Sequence, residues 1–252
     1  MLVYQHMKWL IKKLRKFYYT RIRHMRIPTV HVSGRLNPHN KKFLSQYGDR
    51  YIKTLPEIVT VMHQSRRAGK HIVVEIGFGD GEHIVPVSLQ HPESFVVGVE
   101  LYFLGIVLAA KKLFRNTITN TLLTRSDARD FLDASGQGII NTCYILFPDP
   151  WRKAKHNKMR LLKYPFMHQV MQSVTTGGQC YVATDWAEYA DEIDQVVKQL
   201  ETERVVESVR YDVLVHDFQH TVPQVQEILK TSFAKRAARE GRDVAVFVLT
   251  KK

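Results

Sequence analysis

Val73-Val74-Glu75-Ile76-Gly77-Phe78-Gly79-Asp80-Gly81 runs an apolar strand into a loop with glycine at every second position. Closely spaced glycines let the backbone approach a ligand with no side chain in the way. In open α/β sheets that place is the carboxyl edge of a parallel strand. Outward from this segment, strand and helix patterns alternate. Apolar strands are expected at His71 to Gly77, Phe95 to Glu100, Thr121 to Ser126, Asn141 to Phe147 and Gly178 to Thr184. Helical apolar spacing fills the intervals over His83 to Gln90, Phe103 to Phe114, Asp127 to Ala134, Asn157 to Val174 and Asp185 to Leu200. A helix from about Pro223 to Arg239 and a strand from Val244 to Thr250 close the chain. Such alternation predicts an α/β, Rossmann-like fold, a mostly parallel sheet with helices on both faces. Upstream, Tyr51 to Ala68 reads as a helix with a basic last turn, Arg66-Arg67, and a stop at Gly69. One folded domain over residues 51–252 is therefore expected, with residues 1–50 as a basic N-terminal extension.

The chain has 252 residues, 44% of them hydrophobic, enough for one such domain and a modest appendage. Its formal net charge is +13. An excess of that size suits a polyanionic partner, because Lys and Arg gain affinity by displacing counterions from phosphates. The excess is largely N-terminal: no acid precedes Asp49, whereas Lys8, Lys12, Lys13, Arg15, Lys16, Arg21, Arg23, Arg26, Arg35, Lys41 and Lys42 do. Met7, Leu10, Ile11, Leu14, Phe17 and Tyr18 recur among those bases at helical spacing, so Lys8 to Tyr19 can form a cationic amphipathic helix. A solvated extension, a nucleic-acid contact and a membrane-surface or targeting helix all fit this arm. Cys143 and Cys180 lie in apolar strands without metal-ligand spacing and read as buried, reduced thiols. No apolar run is long enough to span a bilayer, and a cytoplasmic setting is expected.

The glycine loop narrows the ligand. A dinucleotide fingerprint would need glycine at 82, which is Glu82; here the third glycine comes one residue early, and Glu75 precedes the set. A carboxylate there would repel pyrophosphate but can face a sulfonium or amino group, which favours S-adenosylmethionine. Glu100 ends the second strand, where such sheets place the acid that accepts ribose hydroxyls. Asp127 follows the third and can reach an adenine amino group. A helix-capping Asp is commonplace, so it is the recurrence of acids at three successive strand ends that carries the reading. Gly77, Gly79 and Gly81 complete the expected cofactor site.

After the fourth strand comes Phe147-Pro148-Asp149-Pro150-Trp151-Arg152-Lys153-Ala154-Lys155-His156-Asn157-Lys158. Two prolines stiffen the loop around Asp149, and the bases behind it suit a phosphate backbone. This segment closely resembles the signature of the tRNA (guanine-N7)-methyltransferase family. Val74 to Glu82, Val97-Gly98-Val99-Glu100, Thr184-Asp185-Trp186, Thr231-Ser232-Phe233 with Arg236, and Gly34-Arg35-Leu36 resemble its other motifs, so the likeness spans about residues 33 to 250. The resemblance implies a class I S-adenosylmethionine-dependent methyltransferase fold of the bacterial type and tRNA as partner. It assigns cofactor binding to Glu75, Glu100, Asp127 and Asp149, catalysis to Asp149, and substrate binding to Lys153, Asp185, Thr231 and Arg236. Guanine N7 already exposes a lone pair, so alignment rather than a strong base is what such chemistry needs. A carboxylate near the ring can stabilise the positive charge that develops there.

One departure stands out. The family reads Thr-x-Phe-Glu-x-Arg where this chain has Ala234, so a substrate-side carboxylate is missing, and Ala237-Ala238-Arg239 also diverges. Glu240 is one possible substitute. Two rivals follow: a paralogue methylating another RNA position or a small molecule, and a non-catalytic tRNA-binding scaffold. No metal is expected, since His216 and His220 have i, i+4 spacing without an adjacent Glu. Trp151 and Trp186 can stack on a base or simply pack. Monomer and homodimer both remain open.

Overall fold

A computed structural model describes residues 36–213 and 221–252. The amphipathic stretch over Lys8 to Tyr19, the pair Gly34-Arg35 and the pair His216 and His220 lie outside the described residues. Helix α1 (Pro38–Tyr51) opens the described part, followed by β1 (Ile52–Lys53), α2 (Leu55–Arg67) and β2 (Ile72–Ile76). Then come α3 (Ile84–Gln90), β3 (Phe95–Glu100), α4 (Phe103–Arg115), β4 (Thr121–Arg125), α5 (Ala128–Ser135) and β5 (Ile140–Leu146). After a 3₁₀ turn (Ala154–Met159) follow α6 (Tyr164–Ser173), β6 (Val174–Thr184), α7 (Ala187–Thr202) and β7 (Val206–Val213). Helices α8 (Pro223–Leu229) and α9 (Ser232–Arg239) lead into β8 (Val244–Lys251).

The eight strands form one sheet in the order β1-β4-β3-β2-β5-β6-β8-β7. Only β8 runs antiparallel to its neighbours β6 and β7; the other pairs are parallel. The order reverses at β2 and β5, where the chain leaves outward in both directions. Along β2 alternate residues face opposite sides, as the two-residue period of a strand requires. Val74 and Ile76 join one core with Ile58 and Met62 of α2, Phe131 of α5, Met167 of α6 and Tyr189 of α7. Val73 joins the other, with Phe43 and Tyr51 of α1, Ile84 of α3, Ile106 and Leu113 of α4, Val225 of α8 and Ala234 of α9. Cys143 and Cys180 face each other across β5 and β6, both free and fully buried. The thiol of Cys143 is pushed up by its hydrogen bond with Cys180 and then by burial.

Four expectations are corrected by local chemistry. The fold begins upstream of residue 51, because Asn37 caps α1 by accepting the Asn40 N–H at 2.8 Å and Phe43 and Tyr51 are buried against the sheet layer. The next helix starts at Leu55 rather than Tyr51, since Thr54 and Glu57 form a capping box there, the Thr54 N–H donating to Glu57 Oε2 at 2.8 Å. The helix expected over Asn157 to Val174 is broken: extended backbone at Arg160 and Lys163 separates the 3₁₀ turn from α6, which restarts at its own proline, Pro165. The helix expected over Pro223 to Arg239 is two helices, with Thr231 capping the second through the Ala234 N–H at 3.4 Å. Strand β7 has no counterpart in the sequence reading. As an edge strand it buries only Val206 and Val213 and carries Glu207, Arg210 and Asp212 between them.

Burial also sets a pH limit. The phenol of Tyr181, 2% exposed, is pushed up to about 12 chiefly by burial, and Tyr144 and Tyr189 are raised for the same leading reason. The unfolded chain therefore gives up these protons first, near the ordinary value of 10.0. The contribution of these phenols to stability is complete below that pH and lost as pH rises toward 12. Urea midpoints are expected to fall between pH 9 and pH 11, roughly spanning the free-tyrosine value. A midpoint that stays level across that interval contradicts this burial account.

Candidate functional site

The loops at the carboxyl ends of β2, β3, β4 and β5 bring most of the expected residues to one edge of the sheet. Gly77, Gly79 and Gly81 have φ of +77°, +57° and +89°, so the loop needs glycine for its backbone as well as for space. A Cβ at Gly77 or Gly79 would meet nothing within 4 Å; one at Gly81 would lie 2.8 Å from Ala109 Cβ on α4. Helix α4 itself comes close, since a Cβ at Gly105 would lie 2.5 Å from the Gly79 carbonyl oxygen. The turn is fixed by the Gly77 N–H donating to Val99 O at 2.8 Å and the Gly81 N–H to Phe78 O at 3.0 Å.

The three acids have different surroundings. Glu100 accepts the Gly79 N–H at 3.0 Å on one oxygen and the Leu101 and Tyr102 N–H groups at 2.6 and 2.9 Å on the other. It thereby ties the glycine loop to the start of α4. Asp127 caps α5, accepting the Arg129 N–H at 2.8 Å, with the Arg129 guanidinium 3.5 Å from its second oxygen. Glu75 lies deeper than a loop carboxylate: it is 4% exposed, and its Oε2 is 3.1 Å from His83 Nδ1. The His83 ring packs edge-on against Tyr144, and its Nε2 has no hydrogen-bond partner among the described residues.

Asp149 is exposed and, among the described residues, makes no hydrogen bond or ion pair. The loop carrying it is strained at both shoulders, Phe147 at φ +50° and Trp151 at φ +45°. Non-glycine residues held there cost about 1–3 kcal/mol each and persist only where the surroundings over-determine them. Here the Phe147 N–H donates to Ala183 O at 2.8 Å, and its ring stacks on Phe233 at 5.7 Å and 13°. Behind the loop Lys153 is exposed, and the Arg152 guanidinium lies 4.6 Å over the Trp186 ring. Asp185 is paired with Arg242 at 2.5 Å. Arg236, half-exposed, pairs with Glu240 at 3.3 Å, and Glu240 also meets Arg242. Thr231 is buried, its hydroxyl donating to Ile228 O at 2.8 Å.

Two structural ties have no signal in the sequence. Glu82 Oε2 accepts the Ser232 N–H at 2.9 Å, joining the glycine loop to the start of α9 across 150 residues. Beside that tie is a cavity of about 190 Å³ lined by Glu82, His83, Pro86, Glu227, Lys230 and Thr231. Arg242, the partner of Asp185, precedes the last strand without any motif around it. Among the described residues no group of three His, Cys, Asp or Glu is placed to hold a metal ion.

A family model described as putative methyltransferase matches residues 69–245. The chain is 36% identical over 122 residues to a tRNA (guanine-N(7)-)-methyltransferase of Caulobacter vibrioides, covering 48% of this chain and 54% of that one. It thus spans about half the length of that relative. A protein of the same name from Neorickettsia sennetsu is 33% identical over 174 residues, covering 66% of this chain and 80% of the relative. The chain belongs to the tRNA (guanine-N7)-methyltransferase family. A further relative of that name, from Thiobacillus denitrificans, is 29% identical over 214 residues, 84% of this chain and 89% of its own. The class I methyltransferase fold is matched by the 16S rRNA methyltransferase KamB, with TM-score 0.54 and 16% identity over 75% of this chain and 92% of that one.

Against the motif expected of this tRNA (guanine-N7)-methyltransferase family, position 234 has a clear environment. Ala234 is 0% exposed and packs with Ala237 in the core beneath α9, while its neighbour Phe233 is 52% exposed. Glu240 is already engaged by Arg236 and Arg242. Near the start of α9, Glu82 and Glu227 line the cavity beside Thr231, Glu82 holding the Ser232 N–H and Glu227 paired with Lys230.

Proposed function

We propose that this chain transfers a methyl group from S-adenosylmethionine to N7 of a guanine in tRNA. The observation that carries the reading is the placement of an exposed carboxylate, Asp149, with no partner among the described residues, on a strained loop that follows β5, the strand paired with β2 and its glycine turn, in a chain of this family. The cofactor fits the residues present: the open space where Gly77 and Gly79 lack a Cβ admits a ligand against the backbone. Glu100 and Asp127 at neighbouring strand ends offer acceptors for ribose and adenine, and Glu75 contributes negative charge behind the loop. When bound, S-adenosylmethionine supplies an electrophilic methyl group. The chain's own part is to place the acceptor and its charge. Asp149, with no competing cation among the described residues, is free to hold a base edge or balance charge developing on the ring. Asp185 keeps its carboxylate on that side through Arg242, and Lys153 suits a phosphate or ribose.

The deciding experiment incubates the protein with labelled S-adenosylmethionine and undermodified tRNA and maps label by N7-specific strand cleavage. Label at guanine N7 supports the reading. Label elsewhere favours the paralogue, which Ala234 recommends, and cofactor binding without label favours the scaffold. Lys153→Ala is expected to weaken tRNA binding at every sequence and to reduce the slope of log affinity against log salt by about one. An unchanged slope removes Lys153 from the phosphate contacts. A cytoplasmic setting fits this substrate, and no helix of the described residues is long and apolar enough to cross a membrane.

A further inference from the structure

The half of the Asp149 loop that precedes the carboxylate is held by Phe147, through Ala183 and Phe233. The half that follows is held from elsewhere. Arg160, ten residues on, donates from Nε to the Pro150 carbonyl at 2.8 Å. Its side chain is 0% exposed, and its two terminal nitrogens reach α7, one to Glu192 at 2.6 Å and the other to Glu188 at 3.2 Å. The guanidinium lies 5.1 Å over the Tyr189 ring of the same helix. Lys163 shares Glu192 at 2.6 Å, and Asn157 donates to Glu188 at 2.9 Å, so both carboxylates are themselves fixed. A planar fork can hold a carbonyl and two carboxylates from three separate nitrogens; an ammonium gathers its three donors on one nitrogen and cannot span acceptors set that far apart. Arg160 sits at the break in the helix, where its backbone is extended.

We propose that Arg160 is a positioning residue for methyl transfer: by fastening the Pro150 carbonyl to α7 it fixes where the Asp149 carboxylate stands. The inference rests on the role given to Asp149. Arg160 is buried and touches neither substrate nor cofactor in this account. A fully buried, doubly paired Arg beneath the surface also serves packing, so the test must separate the two roles.

Single-turnover transfer from labelled S-adenosylmethionine to undermodified tRNA is measured with the full chain as wild type, Arg160→Lys, Asp149→Asn and the double variant, along with cofactor Kd and melting temperature. Arg160→Lys is expected to slow transfer about 100-fold, the cost of a misplacement on the order of 1 Å, with cofactor Kd shifted no further than by Asp149→Asn. In the Asp149→Asn background the same change should cost nothing further, because Arg160 acts through that carboxylate. Wild-type rates in Arg160→Lys, cofactor binding weakened beyond that of Asp149→Asn, or losses that multiply in the double variant overturn the proposal. Wild-type rates in Asp149→Asn sink the Asp149 reading instead, whatever Arg160→Lys does. Should Arg160→Lys melt below the assay temperature, Glu192→Gln, which leaves Arg160 in place and weakens its anchor, takes its part. A roughly fivefold slowing that vanishes in Asp149→Asn then supports the clamp, and an unchanged rate overturns it.

Discussion

Asp149→Asn should slow methyl transfer by about 100- to 1,000-fold, the usual effect of removing a group aimed at developing charge, while leaving the melting temperature where it was. The two halves of this expectation come from one observation. Asp149 is exposed and has no partner among the described residues, so its charge supports none of the described contacts. Surface changes of that kind usually fall within about 0.5 kcal/mol of neutral. The amide keeps the shape and one acceptor oxygen but cannot balance a cation. Parallel measurement of rate, cofactor Kd and thermal melting therefore separates chemistry from folding. Transfer at near-normal rate would refute the role assigned to Asp149, and a large drop in melting temperature would mean that the loop depends on the carboxylate in a way the contacts do not reveal.

Gly105→Ala should abolish tight cofactor binding. Taken alone, alanine in a helix interior is favoured over glycine by about 1 kcal/mol, so α4 ought to gain. The Cβ, however, would stand 2.5 Å from the Gly79 carbonyl oxygen and 3.0 Å from its carbon, both backbone atoms with no rotamer to yield. Either the glycine turn or the start of α4 must move, and Glu100, which bonds both, transmits the shift. Calorimetry with S-adenosylmethionine is expected to give a Kd raised about 100-fold, in keeping with a displacement near 1 Å at a positioned site. Unaltered affinity would mean that the turn is not where the cofactor lies.

What the sequence made legible was whatever repeats locally. The strands β2 to β6 and β8 are apolar runs bounded by turns, and the glycine spacing and strand-end acids lie within a few residues of one another. Pattern reading failed where two answers share one period. Leu161 and Leu162 continue the helical apolar spacing through the break at Arg160, so one helix was expected where there are a 3₁₀ turn and α6. Charges on β7 disguised an edge strand. The site suffered differently. Glu75 reads as a strand-end carboxylate facing a ligand, yet it lies on a strand whose five residues are all buried, and its hydrogen-bond partner among the described residues is His83. Contacts such as Glu82 to Ser232 or Arg242 to Asp185 join residues 150 and 57 positions apart, which no spacing rule connects.

The paired thiols of Cys143 and Cys180 have a practical consequence. They stand side by side on adjoining central strands, shut off from solvent, with Cys143 held in its protonated state. Alkylating or oxidising reagents can reach them only when β5 and β6 separate from what covers them, so their rate of modification clocks the opening of the sheet itself. The molecule thus carries a built-in gauge of its own integrity, readable in the same tube as any of the variants above and independent of whether they still turn over.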